Sequence, residues 1–241
     1  MRVAETAGPA LFKLLSMKFS KSIFIVILSL VLPLFAAAQD KEADDRPVVH
    51  KVLFIGDSMT GWLAERLNAY GNENGFEVAT VVWDGSTIRK WGSSPRLVSI
   101  IGQQNPDAIF ISLGMNELFE PDPEKRLRSS LDAITGAAGD IPVVWIGPPS
   151  WPGHDKSETL NAWLEENLGE GHYFRSLDLA LPRQSKTNPH PTRQGMIEWM
   201  DAAVAWVQDS GAVRFPSLRM PEGAQMSRGK TFIYKRMKES L

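Results

Sequence analysis

The sequence runs Val52-Leu53-Phe54-Ile55-Gly56-Asp57-Ser58-Met59 at the point that decides the fold. Four apolar residues in a row predict a short buried strand, which Gly56 ends. Residues 59–72 then carry apolar side chains at the spacing of a helix. Ser58 is therefore predicted to lie where a strand passes into a helix.

This position suits a serine nucleophile. At the carboxyl edge of a parallel sheet, free backbone N–H groups and the positive end of the next helix dipole stabilise negative charge. Such charge develops beside the nucleophile during acyl transfer. The alternative interpretation is structural, because Asp57-Ser58 is also a common turn and helix cap. The tripeptide alone does not decide between the two.

The composition limits the function classes and the compartment. The 241 residues carry a net charge of −2, which argues against a general nucleic-acid binder. An apolar run over residues 23–38, preceded by lysines and ending in three alanines, predicts a signal peptide over residues 1–38. Met17 is an alternative start, and an uncleaved membrane anchor is the alternative interpretation of the run. We therefore expect a periplasmic or secreted protein with no stable membrane span after cleavage.

The absence of cysteine has a consequence for an exported protein. With no cysteine, the chain can form no disulfide and cannot be a lipoprotein attached through a cysteine. Its stability must come from an apolar core, which one α/β domain of this size can supply.

Strands and helices are predicted to alternate along the chain. After a charged linker over residues 39–47, a domain over residues 48–210 contains all of them. The predicted strands cover 48–55, 76–83, 107–113, 141–146 and 173–179, and the predicted helices cover 59–72, 95–104, 123–138, 157–168 and 192–208. This alternation predicts a three-layer α/β fold, with a parallel sheet between helices and a ligand site at the carboxyl ends of the strands.

The last segment, residues 211–241, differs in composition. It has seven Lys or Arg residues against two acidic ones and little apolar periodicity. We predict a basic, loosely packed tail, and contact with an anionic polymer is the alternative.

Chemistry-bearing residues follow several predicted strand ends. His190 lies in Asn188-Pro189-His190-Pro191-Thr192, directly before the last predicted helix, where two prolines stiffen the loop. Gly85 can offer a backbone N–H, and Asn116 can aim a side-chain amide at the same edge. A nucleophile, a base and two further donors are what acyl transfer requires.

These blocks together resemble the SGNH (GDSL-like) hydrolase superfamily. The matching blocks are Gly56-Asp57-Ser58, Gly85, Gly114-Met115-Asn116-Glu117 and His190-Pro191-Thr192. The resemblance implies a flavodoxin-like fold of five parallel strands, with Ser58 as nucleophile and His190 as general base. It also implies an oxyanion hole made by the N–H groups of Ser58 and Gly85 and the side chain of Asn116. No metal-ligand spacing or phosphate-binding glycine loop occurs, so we expect neither metal nor cofactor.

The sequence departs from the family pattern at two positions. The third block ends in Glu117 where the family usually has Asp, and Thr187 stands where the family places an Asp three residues before the histidine. An acidic residue there orients the imidazole and stabilises its charged form. Four outcomes stay open: Asp178 replaces it, a backbone carbonyl replaces it, a Ser–His dyad operates, or catalysis is lost.

Aromatic residues near the predicted site indicate a substrate class. Trp83, Trp91 and Trp151 lie in or beside carboxyl-edge loops, and His154 is close to Trp151. Flat rings with a polar atom suit the faces of sugars, although a single loop tryptophan is more often packing.

The sequence therefore predicts an exported serine esterase that removes O-acyl groups, acetyl above all, from a carbohydrate or cell-wall glycan or from a small ester. One alternative is an O-acetyltransferase acting on an exopolysaccharide or peptidoglycan. Another is an inactive glycan-binding protein of the same fold. The sequence leaves the oligomeric state open.

Overall fold

The computed structural model describes Arg46 and residues 48–151, 153 and 157–241. The predicted signal peptide, most of the predicted linker and His154 lie outside the described residues. Of the helices that are described, none combines the length and the apolar character needed to cross a membrane.

A parallel sheet forms the centre of the described domain. Its strand order is β5-β4-β3-β1-β2-β6, and every adjacent pair is parallel. The central strands consist almost entirely of buried apolar residues, as expected of strands covered on both faces. The strands are β1 Lys51–Gly56, β2 Glu77–Trp83, β3 Ala108–Ser112, β4 Val143–Ile146, β5 Tyr173–Phe174 and β6 Phe232–Lys235.

Helices cover the two faces of this sheet. They are α1 Thr60–Asn74, α2 Ile88–Gly92, α3 Arg96–Gln104, α4 Pro123–Ala138, α5 Glu158–Leu168 and α6 Arg193–Ser210. On one face, Leu67 of α1 and Trp199 of α6 pack in the same buried cluster as Phe54 of the sheet. On the other face, side chains of α2 to α5 pack against a second cluster around Ile55. The predicted three-layer α/β class is confirmed.

The sheet has six strands rather than the predicted five. The additional strand, β6, comes from the segment predicted as a loose tail, and it pairs with β2 over four residues. Arg66, which is 1% exposed, also binds backbone carbonyls of this segment. Arg46 through Leu241 form one compact unit, so ending the domain at residue 210 was wrong. Pairing with β6 protects the edge that β2 would otherwise expose.

Two other elements differ from the sequence predictions. Helix α2 was not predicted, and the fifth strand ends at Phe174 instead of residue 179. A 3₁₀ turn, Ser176–Asp178, follows β5 after one residue, Arg175. The buried hydroxyl of Ser176 accepts a hydrogen bond of 2.7 Å from Trp199 Nε1, which draws the chain away from the sheet towards α6.

The order of the strands places a crevice at the ends of β1 and β3. From β1 the chain moves to β2 on one side, and it later returns to β3 on the other side, so that the connections diverge there. Ligands bind at such points in open α/β sheets. Gly56 ends β1 in this crevice, and a Cβ atom at that position would lie 2.1 Å from the carbonyl oxygen of Ser112. Only glycine permits the turn that carries Ser58.

Candidate active site

Ser58 and His190 meet at this crevice. Ser58 lies in the turn between β1 and α1, and His190 lies in the loop that precedes α6. The distance between Ser58 Oγ and His190 Nε2 is 2.9 Å, which is a hydrogen bond. Residues separated by 132 positions in the chain therefore form a nucleophile–base pair.

Asn188 determines which ring nitrogen of His190 carries the proton. Its Oδ1 atom accepts a hydrogen bond of 3.0 Å from the backbone N–H of His190 and lies 3.3 Å from Nδ1 of the same ring. Because that oxygen can only accept, the contact favours the tautomer that carries the proton on Nδ1. Nε2 then holds the lone pair, and the Ser58 hydroxyl donates to it.

The loop around His190 is fixed at several points. The Arg183 guanidinium donates to the backbone carbonyls of Pro189 and Ser150. The N–H of Thr192 donates to the Pro182 carbonyl at 2.8 Å, and its hydroxyl caps α6 by accepting from Gly195 N–H at 3.1 Å. The loop is therefore held by hydrogen bonds to its backbone both before and after His190, which fixes the position of the imidazole.

The electrostatic surroundings favour a neutral His190. Partial burial lowers the pKa of the imidazole below its usual value, because desolvation disfavours the charged form. Asp84 raises this pKa and Arg183 lowers it, and both effects are smaller than that of burial. His190 is consequently unprotonated at neutral pH, as a general base must be.

Asn116 and Gly85 lie on the loops after β3 and β2. The side-chain amide of Asn116 donates to the Ser86 carbonyl at 2.8 Å and to Asp57 Oδ2 at 3.3 Å. Gly85 adopts a left-handed backbone conformation with φ of 58°. The Asn116 amide thus connects the Ser58 turn with the Gly85 loop, and it lies beside the residue that precedes the nucleophile.

Asp57 is a buried carboxyl next to the nucleophile. It is 1% exposed, and its Oδ1 atom accepts from the Met59 N–H at 2.9 Å. Burial raises the pKa of Asp57 to about 7, although the Met59 N–H lowers it, and Glu117 and Asp84 raise it further. Near neutral pH the carboxyl is therefore partly protonated, which limits the negative charge beside Ser58.

Glu117 joins the third block to the second. Its carboxylate accepts from the N–H of Ile88 at 2.6 Å and from that of Arg89 at 3.4 Å, so it caps the start of α2. Burial raises the pKa of Glu117, and these two N–H groups lower it. The longer side chain that distinguishes this sequence from the family pattern thus holds the helix that follows Gly85.

The structure does not bring Asp178 to the histidine. The Asp178 side chain is 68% exposed and pairs with Arg175 at 3.0 Å. Thr187 is exposed too, and its hydroxyl lies 3.2 Å from that of Ser185. Asp178 was therefore a wrong choice for the acid, and the amide oxygen of Asn188 stands beside Nδ1 instead. The signal was in the sequence, since an Asn commonly bonds the backbone N–H two residues on.

Two of the predicted substrate tryptophans are core residues. Trp91 is fully buried and donates to Ser86 Oγ at 2.9 Å. Trp83 is 8% exposed and donates to the Glu239 carbonyl at 2.9 Å, so the C-terminal segment covers it. Neither ring can contact a sugar, and these predictions were wrong.

Trp151 does face open space beside the site. It is half-buried, and with Asn116 and Phe119 it lines a groove of about 750 Å³. The rings of Trp151 and Phe119 lie 6.0 Å apart. Trp151 therefore remains a prediction for substrate contact.

Sequence reasoning missed Trp62. This residue is 41% exposed and, with Ser58 and His190, lines a cavity of about 210 Å³. It lies off the apolar stripe of its helix, which buries Leu63 and Leu67 instead. An aromatic residue off that stripe and four positions after the nucleophile was the available signal. Within the described part of the chain, no group of three or more His, Cys, Asp or Glu residues could hold a metal ion.

No protein-family model and no curated protein matches the sequence. Among solved structures, a two-domain esterase (CEX) active on acetylated mannans, co-crystallised with mannopentaose, matches 72% of this chain with a TM-score of 0.50 and 11% identity. The match spans 52% of that protein. The match to the psychrotrophic esterase EstA from Pseudoalteromonas sp. covers 66% of this chain and 97% of the EstA chain, with a TM-score of 0.49 and 17% identity.

The match to a family 3 carbohydrate esterase from Clostridium thermocellum covers 68% of this chain and 96% of that esterase chain, with a TM-score of 0.48 and 16% identity. At these identities a likeness concerns the fold. The fold shared with the two-domain esterase agrees with the α/β fold that the sequence predicted.

Proposed function

We propose that this chain is an exported serine esterase of the SGNH type, which removes O-acyl groups, acetyl above all, from a carbohydrate ester. One observation carries the proposal: Ser58 Oγ lies 2.9 Å from Nε2 of His190. A serine hydroxyl so placed can lose its proton to the imidazole as it attacks a carbonyl carbon. The predicted signal peptide supports export.

The residues around this pair have distinct roles in the proposed reaction. Ser58 Oγ forms a bond to the acyl carbon while its proton passes to His190 Nε2, and the carbonyl oxygen becomes an oxyanion. The N–H groups of Ser58 and Gly85 stabilise that charge, and the Asn116 amide joins them by releasing its hydrogen bond to Asp57 or to the Ser86 carbonyl. The bond from the acyl carbon to the alcohol oxygen then breaks, and His190 Nε2 gives its proton to that oxygen. Water attacks the acyl-enzyme through the same steps and releases the acid.

Asn188 acts on the reaction through His190. When Nε2 takes the proton, Nδ1–H of the imidazolium faces the neutral Oδ1 atom of Asn188. A neutral acceptor stabilises the cation less than a carboxylate does, although it fixes the same tautomer. Asn188 is thus a positioning residue in a Ser–His centre.

Aromatic residues beside the nucleophile support a carbohydrate substrate. The exposed ring of Trp62 borders Ser58, and Trp151 borders Asn116. Such rings offer apolar faces to sugars. The two-domain esterase with a similar fold is active on acetylated mannans, which adds to this support.

Labelling of Ser58 is the direct test. The protein should react with a fluorophosphonate probe and release product from p-nitrophenyl acetate. The Ser58→Ala protein should not be labelled, and its kcat should be at least about 10³-fold lower than that of the parent. Ser185→Ala, which removes an exposed serine from the neighbouring loop, is the matched control and should keep both. An unlabelled parent protein without ester turnover would contradict the esterase, and oligosaccharide binding by that protein would favour a glycan-binding protein of this fold.

A further inference from the structure

The C-terminal segment reaches the nucleophile. A second cavity, of about 280 Å³, opens at Ser58 and shares Trp62 with the cavity that contains His190. One of its walls comes from α1 and another from the segment that ends in β6. The side chains that matter for its chemistry are Trp62, Glu65, Asp84, Arg228, Phe232 and Tyr234.

The alternation of side chains along β6 creates an aromatic wall. Phe232 and Tyr234 face the cavity, whereas Ile233 between them points to the other face of the strand. Tyr234 is 52% exposed and Trp62 is 41% exposed, so the two rings offer apolar surface on different walls. Exposed rings on opposing elements next to a nucleophile form a binding surface rather than a core.

The polar groups of the cavity are hydrogen-bonded to one another, and its one cation, Arg228, is outnumbered by two carboxylates, Glu65 and Asp84. The Arg228 guanidinium pairs with Glu65 at 2.7 Å and lies 4.6 Å from the centre of the Phe232 ring. The Tyr234 hydroxyl donates to Asp84. No excess positive charge is available for an anionic group, and the charged rim does not suit a long apolar acyl chain. Aromatic faces with hydrogen-bonding groups at their edges fit a neutral sugar ring.

The wall is also held in place before any ligand binds. Tyr234 is paired with Val82 in the sheet, and the Asp84 N–H donates to the Lys235 carbonyl at 2.9 Å. Met237 lies against Gly85, where an added Cβ would be 2.9 Å from its side chain. A preformed wall loses little conformational freedom on binding.

We propose that this cavity is a carbohydrate subsite, built by the C-terminal strand, which binds a neutral sugar residue of the glycan that carries the ester. The proposal rests on the proposed function, because it places the acylated position at Ser58. It assigns a binding role to Trp62, Phe232 and Tyr234, and it makes β6 part of the substrate-binding surface.

The ratio of two specificity constants tests the subsite. The full-length chain is assayed on partly acetylated oligosaccharides of mannose, xylose, glucose and N-acetylglucosamine and on methyl acetate, which has no sugar and no ring. For the best oligosaccharide, Trp62→Ala and Tyr234→Ala should lower the ratio of its kcat/KM to that of methyl acetate about tenfold, mainly through KM. Ile233→Ala changes the same strand on its other face and should leave the ratio unchanged. Tyr234→Phe keeps the aromatic ring, so this variant should retain most of the parent's ratio.

A binding measurement separates this proposal from the proposed function. Ser58→Ala protein is titrated with the same oligosaccharides without acetyl groups, and Tyr234→Ala in that background should weaken binding about tenfold. Unchanged ratios, equal losses on both substrates, or no binding of any oligosaccharide by the Ser58→Ala protein when the parent is labelled at Ser58 would overturn the subsite. Lack of labelling and turnover together with Tyr234-dependent binding would overturn the esterase and retain the subsite.

Discussion

Asn188 is the residue that distinguishes this site from a Ser–His–Asp triad. Its amide oxygen lies 3.3 Å from Nδ1 of His190. Thr187, which occupies the usual position of the acid, and Asp178, the candidate to replace it, have other partners. An amide oxygen fixes the tautomer without adding negative charge. The site therefore has the orientation of a triad with weaker stabilisation of the imidazolium.

Asn188→Asp should change both the rate and its pH dependence. A carboxylate beside Nδ1 favours the charged imidazole, so the pKa of His190, which burial lowers, should rise. Because the base must be neutral, the acid limb of kcat/KM should move to higher pH. The plateau kcat should rise about tenfold, equivalent to about 1.4 kcal/mol of barrier. Asn188→Ala should lower kcat by a similar factor.

Thr187→Asp is the matched control for this prediction. It introduces the same charge one residue earlier, at an exposed side chain that contacts Ser185. Its effect on the pH profile should be much smaller than that of Asn188→Asp. Equal shifts in the two variants would mean that overall charge near the loop, and not the contact with Nδ1, controls the histidine.

The sequence identified the reacting pair better than its surroundings. Ser58 and His190 follow local patterns, a strand–turn–helix and a proline-stiffened loop, and the structure places them 2.9 Å apart. Trp83 and Trp91 were misassigned because their burial depends on the C-terminal segment and on the unpredicted α2. The local sequence around a tryptophan does not show whether a distant segment of the chain will bury it.

At the scale of elements, Glu117 couples the loop after β3 to the start of α2. Glu117→Ala would leave the buried N–H of Ile88 without its acceptor, which lies at 2.6 Å. We expect the free energy of unfolding to fall by about 1–3 kcal/mol. Because Gly85 precedes this helix, kcat should fall as well, and KM should change less. Urea unfolding and steady-state kinetics measure the two effects.

Glu117→Gln provides the control for the cap. It keeps an oxygen that can accept from the Ile88 N–H and removes the negative charge of the carboxylate. Burial already disfavours that charge, because it raises the pKa of Glu117. It should retain most of the stability and activity. Equal losses in both variants would indicate that the charge, and not the hydrogen bond, holds α2.

The elements differed in how clearly the sequence marked them. Helix α6 was predicted over residues 192–208 from its repeating apolar stripe, and Trp199, Met200 and Ala203 of that stripe are fully buried. Strand β6 has only four residues and lies in a basic segment, so alternation alone could not separate it from a loop. Its existence depends on the open edge of β2, which is a property of the folded sheet.

At the scale of the molecule, the C-terminal segment is attached by a buried arginine. Arg66 of α1 donates to both carboxylate oxygens of Asp201 on α6, at 2.7 and 3.0 Å. The same guanidinium binds the carbonyls of Gly223 and Gln225 at 3.1 and 2.9 Å. One side chain thus joins both helices of a layer to the segment that leads into β6.

Arg66→Leu should therefore destabilise the whole fold. It leaves the Asp201 carboxylate and the segment's carbonyls without their cation in a buried site, so the free energy of unfolding should fall by about 3–5 kcal/mol. Urea unfolding measures this loss, and limited proteolysis should cut near residues 221–230 earlier than in the parent.

The matched control is Arg219→Leu, because Arg219 lies in the same segment but is 73% exposed and pairs with Glu73 at 3.4 Å. That change should cost no more than about 1 kcal/mol. Similar losses for the two substitutions would show that Arg66 does not anchor the segment.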